Sequence, residues 1–216
     1  MVAVTHSWGA ALFDLDGTLV DSEPANQAAY RAYFASRGWE LGEDLARQFA
    51  GRRGADVFAQ LPGPWQGEDI TAIVAGVLAH VNLDDYPLRP LPGAIELIRR
   101  IHADGVPVAL VTSAQRDWAE YAVGDVLGLR DHFTALITWE STVVGKPHPE
   151  PYLAGAAALG VPPAQAVALE DTVPGIHAAL AAGVGRVIGV SSGSSPQALL
   201  DGGAHEVVAT PADLLR

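Results

Sequence analysis

From Val106 onward, short aliphatic runs alternate with segments of helical character, and no other feature of the chain constrains its fold as strongly. The runs are "VPVALVT", "FTALIT", "AVALE", "RVIGV" and "EVVA", and helical segments such as "QRDWAEYAVGDVL" and "VPGIHAALAAG" lie between them. Short aliphatic runs are typical of buried strands, and an intervening helix returns the chain to the same end of the sheet. The alternation therefore predicts a parallel α/β sheet with crossover helices.

The N-terminal part of the chain follows a different pattern. A strand is predicted at Gly9–Phe13, and no second strand is predicted before Val106. Helical patterns occupy the stretch between them, at 24–35, 43–50, 55–61 and 69–81. The Pro- and Gly-containing segment "YPLRPLPG" then precedes the helical segment "AIELIRRIHADG", as expected for a connection between two units. We therefore predict two domains: an α/β core formed by 1–20 and 89–216, and a helical insert at 21–88.

Composition and charge exclude several classes of protein. Hydrophobic residues make up 49% of the chain and charged residues 18%, which is enough apolar material for a packed core. The sequence contains no cysteine, which suits a reducing compartment, and no apolar run approaches the ~20 residues of a membrane span. The net charge of -12 disfavours nucleic acid and anionic membranes as partners. We expect a cytoplasmic monomer that binds a small ligand.

Polar residues follow the apolar runs directly, where ligands gather in parallel α/β sheets. Two close carboxylates repel each other unless a cation or a shared proton lies between them. Taken singly, each pair of polar residues after an apolar run can be explained structurally, as a turn or as a helix cap. The only lysine of the chain could likewise be a solvated loop residue. Their joint order along the chain instead indicates one site, formed by Asp14, Asp16, Thr112, Ser113, Lys146, Glu170 and Asp171.

Four segments carry a resemblance to a known family. "DLDGTLVDSE", "VTSA", "GKPHPEPY" and "LEDTVPGI", in that order, resemble the four motifs of the haloacid dehalogenase-like hydrolase superfamily. Within it, the chain is similar to the branch of sugar-phosphate phosphatases and β-phosphoglucomutases, which carry a helical cap after the first motif. The resemblance implies a Rossmann-like parallel sheet core with an inserted α-helical cap domain, and it implies phosphoryl transfer.

The resemblance also implies a role for each motif residue. Asp14 matches the nucleophile that forms an aspartyl-phosphate, and Asp16 matches the general acid and base. Thr112 and the N–H groups around Ser113 would hold the phosphoryl oxygens, and Lys146 would neutralise the charge that nucleophile and phosphate share. Magnesium would be held by the Asp14 carboxylate, the Asp16 backbone carbonyl and Asp171. Glu170 would either bind the metal directly or hold one of the residues that do.

The cap segment "AGRRGADVF" bears on the substrate. Gly51 matches a turn that contacts substrate in the family, and it is followed by Arg52 and Arg53. We hypothesise that one of the two arginines contacts a sugar hydroxyl or a second phosphate, the alternative being a solvated arginine pair. β-Phosphoglucomutases carry a cap arginine where this chain has Gly54, a histidine where it has Asn26, and a cap lysine where it has none.

These departures favour hydrolysis over phosphate transfer within one sugar. The sequence thus predicts a magnesium-dependent phosphatase acting on a small phosphorylated sugar or polyol. A β-phosphoglucomutase-like isomerase remains the enzymatic alternative, and a non-catalytic phosphate-binding regulatory protein is the alternative of a different class. The missing cap lysine argues against a phosphonoacetaldehyde hydrolase, and the second aspartate of the first motif argues against a dehalogenase.

Overall fold

A computed structural model describes residues 8–216 of the chain. Its main sheet has six strands in the order β5-β4-β1-β6-β7-β8, and every neighbouring pair is parallel. A separate two-stranded ribbon pairs β2 with β3. The strands are β1 Ala10–Phe13, β2 Val20–Asp21, β3 Arg89–Pro90, β4 Val108–Val111, β5 Ala135–Ile137, β6 Ala166–Glu170, β7 Arg186–Val190 and β8 Glu206–Val208.

Helices cover the sheet and fill the insert. Those of the insert are α1 Glu23–Ser36, α2 Glu43–Phe49, α3 Gly54–Gln60 and α4 Ile70–Leu78. Those of the core are α5 Ala94–Ala103, α6 Arg116–Tyr121, α7 Glu150–Ala158, α8 Val173–Ala181 and α9 Pro196–Asp201. The helix predicted over 115–127 changes character after α6, because a π-helical turn continues it at Ala122–Val126. None of the described helices is long and apolar enough to cross a membrane.

The central strands β1, β4 and β6 are buried on both faces, which explains why they consist almost entirely of aliphatic residues. All four residues of β1 are fully buried. Ala11 and Phe13 pack into the apolar cluster that includes α5, whereas Ala10 and Leu12 pack into the cluster that includes α7 and α8. This alternation is the two-residue period of a strand with a hydrophobic layer on each side. The predicted α/β arrangement is confirmed.

The insert has its own apolar cluster, in which aromatic rings pack in both stacked and edge-to-face pairs. Phe34 lies at its centre, with the rings of Phe58 and Trp65 at centroid distances of 6.2 and 5.9 Å. Edge-to-face and offset contacts of this kind stabilise a small helical unit beyond the area that they bury. The separate cluster supports our proposal that 21–88 forms a cap and that 8–20 and 89–216 form the core, while residues 1–7 of the predicted core lie outside the described residues.

The expectation of no strand between β1 and Val106 was wrong in one respect. The chain leaves the core at Val20–Asp21 and returns at Arg89–Pro90, and these two segments pair as the antiparallel ribbon β2–β3. Strands of two residues are too short to show an alternation of apolar and polar residues, so sequence periodicity could not detect this ribbon. Its effect is to place both connections to the cap side by side, next to the end of β1.

Candidate active site

Three buried carboxylates meet where two central strands end. Asp14 follows β1, Glu170 is the last residue of β6, and Asp171 comes next. Strands β1 and β6 are parallel neighbours, so their carboxyl ends lie side by side. One carboxylate oxygen from each residue lies within 4.8 Å of the others, and all three side chains are buried. The structure therefore brings together residues that are far apart in sequence.

Lys146 lies between two of these carboxylates. Its side chain is 2% exposed, and Nζ donates to Asp14 Oδ1 at 2.6 Å and to Glu170 Oε1. The hydroxyl of Tyr152 donates to the same Glu170 oxygen at 2.8 Å. The other oxygen of Glu170 accepts from the hydroxyl of Thr172 at 3.2 Å. With both oxygens engaged, Glu170 acts mainly to hold Lys146 in place.

Burial and charge shift the pKa values of this group strongly. Burial raises the pKa of Asp14 to about 7, although Lys146 opposes the shift. Burial, together with the Asp14 and Glu170 charges, raises the pKa of Asp171 well above its usual range. Burial alone would lower the pKa of Lys146, but the Asp14 and Glu170 carboxylates outweigh it and raise that pKa. One ammonium therefore does not balance three buried carboxylates, and the site favours an additional cation.

The donor set fits a hard divalent cation. Asp171 Oδ1 is buried and has no hydrogen-bond partner among the described residues, which is costly unless a ligand satisfies it. The backbones of Gly17 and Gly193 lie against the Asp171 carboxylate so closely that a Cβ on either would collide with it. Asp14 and Asp171 supply the oxygen ligands that Mg²⁺ prefers, with Glu170 beside them. A contribution from the Asp16 carbonyl stays a prediction.

Magnesium is expected to stabilise the fold in a pH-dependent way. Without metal, the stability that comes from protonated Asp14 is lost as the pH rises through about 7, because the pKa of Asp14 is raised in the folded state. Mg²⁺ at about 100 times its Kd should raise Tm by about 5 to 10 °C. The increase should be larger near pH 8 than near pH 6, since protons compete for Asp14. Thermal unfolding checks this, and an equal increase in Asp171→Asn would contradict it.

Asp16 occupies a different environment from the three clustered carboxylates. Its Oδ1 accepts a hydrogen bond from Trp118 Nε1 at 3.0 Å. Burial raises its pKa, and hydrogen bonds from Ser22 and Trp118 only partly oppose this. A raised pKa suits a carboxyl group that must carry a proton before it delivers one. The sequence analysis did not identify Trp118, because nothing in a single sequence connects it with a residue 102 positions away.

Thr112 and Ser113 face different partners at the end of β4. Thr112 Oγ1 accepts from the N–H of Ala114 at 3.0 Å, which leaves its own hydroxyl hydrogen free to donate to a bound oxyanion. Ser113 Oγ instead donates to the backbone oxygen of Gly51 at 3.1 Å. The predicted phosphate-holding segment is thus also a contact between core and cap.

The cap turn at Gly51 lies directly against the core. Gly51 has a φ of 68°, and a Cβ there would collide with the side chain of Thr172, so both conformation and space require glycine. The two arginines that follow differ. Arg52 Nη2 donates to Gln60 within the cap, whereas Arg53 crosses to the core and donates to the carbonyl oxygen of Val143 at 3.1 Å. Arg53, which is 3% exposed, therefore does not fit the alternative of a solvated arginine pair.

Comparison with known proteins agrees with the arrangement of the site. The family model for haloacid dehalogenase-like hydrolases matches residues 8–183. Validoxylamine A 7'-phosphate phosphatase of Streptomyces hygroscopicus subsp. limoneus is 36% identical over 192 residues, which cover 88% of this chain and 89% of that protein. Hexitol phosphatase B of Escherichia coli K12 is 35% identical over 188 residues, which cover 83% of this chain and 82% of that protein.

Solved structures show the same fold over almost the whole chain. A crystal structure of a hydrolase from Pseudomonas syringae superposes with a TM-score of 0.85 at 25% identity and covers 95% of each chain. A putative β-phosphoglucomutase from Thermotoga maritima superposes with a TM-score of 0.71 at 28% identity, covering 95% of this chain and 96% of that one. The family match extends from the first strand to helix α8 and includes all four motifs. The chain therefore belongs to the haloacid dehalogenase-like hydrolases.

Proposed function

We propose that this chain is a magnesium-dependent phosphatase that hydrolyses a small phosphorylated sugar or polyol through an aspartyl-phosphate on Asp14. That it is a phosphoric monoester hydrolase follows from its family and from its phosphatase relatives. The observation that carries the finer proposal is the bond from Lys146 Nζ to Asp14 Oδ1 at 2.6 Å, in a buried site where Asp171 Oδ1 has no hydrogen-bond partner within residues 8–216.

The chemistry follows from the positions of three side chains. A carboxylate oxygen of Asp14 attacks phosphorus, and the bond from phosphorus to the ester oxygen breaks. Asp16 gives its proton to the leaving alkoxide, which departs as an alcohol. Asp16 then takes a proton from water, whose oxygen bonds to phosphorus while the bond from phosphorus to the Asp14 oxygen breaks, which releases inorganic phosphate and the free Asp14 carboxylate. Lys146 offsets negative charge throughout, and a bound Mg²⁺ would add further electrostatic stabilisation.

The cap supports hydrolysis rather than transfer within one sugar. The mutase pattern requires an arginine where this chain has Gly54, and a Cβ at Gly54 would collide with the hydroxyl of Tyr30. Tyr30 therefore occupies the space that such an arginine needs. The similarity to a putative β-phosphoglucomutase keeps the isomerase as the enzymatic alternative. The intact nucleophile and its lysine count against the non-catalytic phosphate-binding alternative. A cytoplasmic location and a monomeric state stay predictions.

We further propose that Arg52 is the cap arginine that contacts substrate. It belongs to the turn that lies on Ser113 and Thr172. The Nε atoms of both arginines are buried without a hydrogen-bond partner among the described residues, but the Nη groups of Arg53 are bound to Thr142 and Val143 of the core, whereas Arg52 bonds Gln60 within the cap. Arg52→Ala should raise KM for the preferred substrate about 10-fold or more, which is the effect of losing one charged hydrogen bond. Steady-state kinetics measure this, and an unchanged KM contradicts the assignment.

Phosphorus NMR on a panel of sugar and polyol phosphates tests the proposed function. The panel includes β-glucose 1-phosphate and is incubated with Mg²⁺ and the protein, with Asp14→Asn in parallel. Free phosphate in the wild-type sample alone supports the phosphatase and ranks its substrates. Conversion of glucose 1-phosphate to glucose 6-phosphate supports the isomerase instead. An unchanged spectrum for every compound supports the non-catalytic alternative.

A further inference from the structure

Three loops of the active site contact one short turn of the cap, Gly51–Arg53. Ser113, after β4, donates to the oxygen of Gly51 at 3.1 Å. Thr172, after β6, lies against the Gly51 Cα, which leaves no room for a side chain. The loop 142–145, which leads to Lys146, receives two hydrogen bonds from Arg53. The turn therefore touches the loops that carry the second, third and fourth motifs.

Arg53 is bound to this loop rather than to solvent. Although it belongs to the cap, it is only 3% exposed. Its Nη1 donates to the carbonyl oxygen of Val143 at 3.1 Å, and its Nη2 donates to the hydroxyl of Thr142. Its side chain packs so closely over Gly145 that a Cβ there would collide with it. A guanidinium is suited to this task because its planar fork can satisfy two acceptors at once.

The same loop is also held by the core. The carboxylate of Glu150, at the start of α7, accepts from the backbone N–H groups of Val143 at 2.8 Å and Val144 at 3.0 Å. Glu150 and the loop both belong to the core, so these bonds do not depend on the cap. The bonds from Arg53 do depend on it. The loop ends at Lys146, whose ammonium bonds the nucleophile at 2.6 Å.

We propose that Arg53 is a positioning residue that couples the placement of the cap to the placement of Lys146. When the cap lies on the core, Arg53 fixes Thr142–Gly145 and thereby holds the ammonium of Lys146 against Asp14. When the cap moves away to admit substrate or release product, the loop loses both hydrogen bonds and Lys146 is held less firmly. Arg53 touches no reacting atom itself. The catalytic consequence rests on the proposed function, whereas the structural coupling does not.

The chain allows a direct test, because Lys146 is its only lysine. Labelling with lysine that carries ¹⁵N at the ζ position gives a single ammonium resonance from the full-length protein. Arg53→Met should shift and broaden this resonance, since Lys146 samples more than one arrangement without the guanidinium. Arg31→Met removes an exposed arginine from the same cap and should leave the resonance unchanged. An unchanged resonance in Arg53→Met overturns the proposal whether or not the protein is a phosphatase.

Kinetics supply the second measurement. Arg53→Met should lower kcat about 10- to 100-fold while KM changes little, because charged hydrogen bonds of this kind contribute to the placement of Lys146 and not to substrate binding. Thr142→Val, a nearly isosteric change that should preserve folding, should lower kcat less. The double variant should lose no more than Arg53→Met alone, because both changes break the same contact. A rise in KM without a fall in kcat would mean that Arg53 binds substrate instead, and additive losses would mean that Arg53 and Thr142 act independently. Either result overturns the proposal.

Discussion

Asp14→Asn is expected to abolish phosphate release, with a fall in kcat of about 10⁴- to 10⁶-fold, as for other lost nucleophiles. The amide cannot attack phosphorus to form an acyl phosphate, and it also removes a ligand from the predicted metal site. The variant should stay folded, because Lys146 keeps its bond to Glu170 and one of three mutually repelling carboxylates is gone. We therefore expect Asp14→Asn to lose activity while it stays folded.

Phosphorus NMR with the preferred substrate measures this loss, and thermal unfolding shows that the variant is folded. Asp104→Asn is a matched control, since Asp104 is an exposed residue at the end of α5, remote from the site. It should behave as the wild type in both measurements. Turnover by Asp14→Asn within about 10-fold of the wild-type rate would show that phosphorus is attacked by another group, and the aspartyl-phosphate route would be wrong.

Lys146→Met is expected to have the largest combined effect on activity and stability. Removal of the ammonium leaves Asp14 and Glu170 buried without their shared partner, and breaking a buried ion pair in this way costs about 3 to 5 kcal/mol in the free energy of unfolding. The catalytic loss should be about 10²- to 10⁴-fold in kcat, because the negative charge at the nucleophile and phosphate is no longer offset.

The stability loss should depend on pH with a definite sign. Lys146 lowers the pKa of Asp14 against the stronger effect of burial, so its removal raises that pKa further. A raised folded-state pKa favours the folded protein only while the group is protonated, so stability falls as the pH rises. Urea unfolding without Mg²⁺ should show the variant close to the wild type near pH 5 and much less stable near pH 8.

Lys146→Arg separates charge from shape in the same site. It keeps a positive charge but places a larger, planar group in a position that is 2% exposed. We expect it to recover most of the stability near pH 8 and little of the activity, because the guanidinium does not reproduce the short bond to Asp14. Equal stability of Lys146→Met and wild type near pH 8 would mean that the carboxylates are neutralised by another route.

Much of the fold and of the site could be predicted from the sequence for a simple reason. The strands of a parallel sheet that is buried on both faces are continuously aliphatic, so each strand can be recognised in the sequence as a short run of aliphatic residues. The residue that follows a strand lies at the ligand-binding edge regardless of its neighbours. Asp14, Thr112 and Glu170 were therefore found from position alone, and the single lysine stood out by composition. The short ribbon β2–β3 was missed because two residues show no period.

Contacts across long sequence distances could not be predicted in this way. Trp118 bonds Asp16, and Tyr152 bonds Glu170, yet each resembles an ordinary packing residue in its own helix. The arginine pair shows the same limit, because adjacent residues of one type have different partners. Arg52 stays within the cap, and Arg53 bridges 89 positions to Thr142.

The sequence by itself determined the sheet, the helical insert and the order of the predicted site residues, because these depend on local periodicity and on which residues lie at the end of each strand. Only the tertiary structure decided how the charges are balanced, which arginine reaches the core, and how the cap turn lies on the loops of the site. Those features arise from side chains that meet through space, and burial sets their strength. Desolvation raises the pKa of Asp14 to about 7, and no property of the residues in sequence contains that shift.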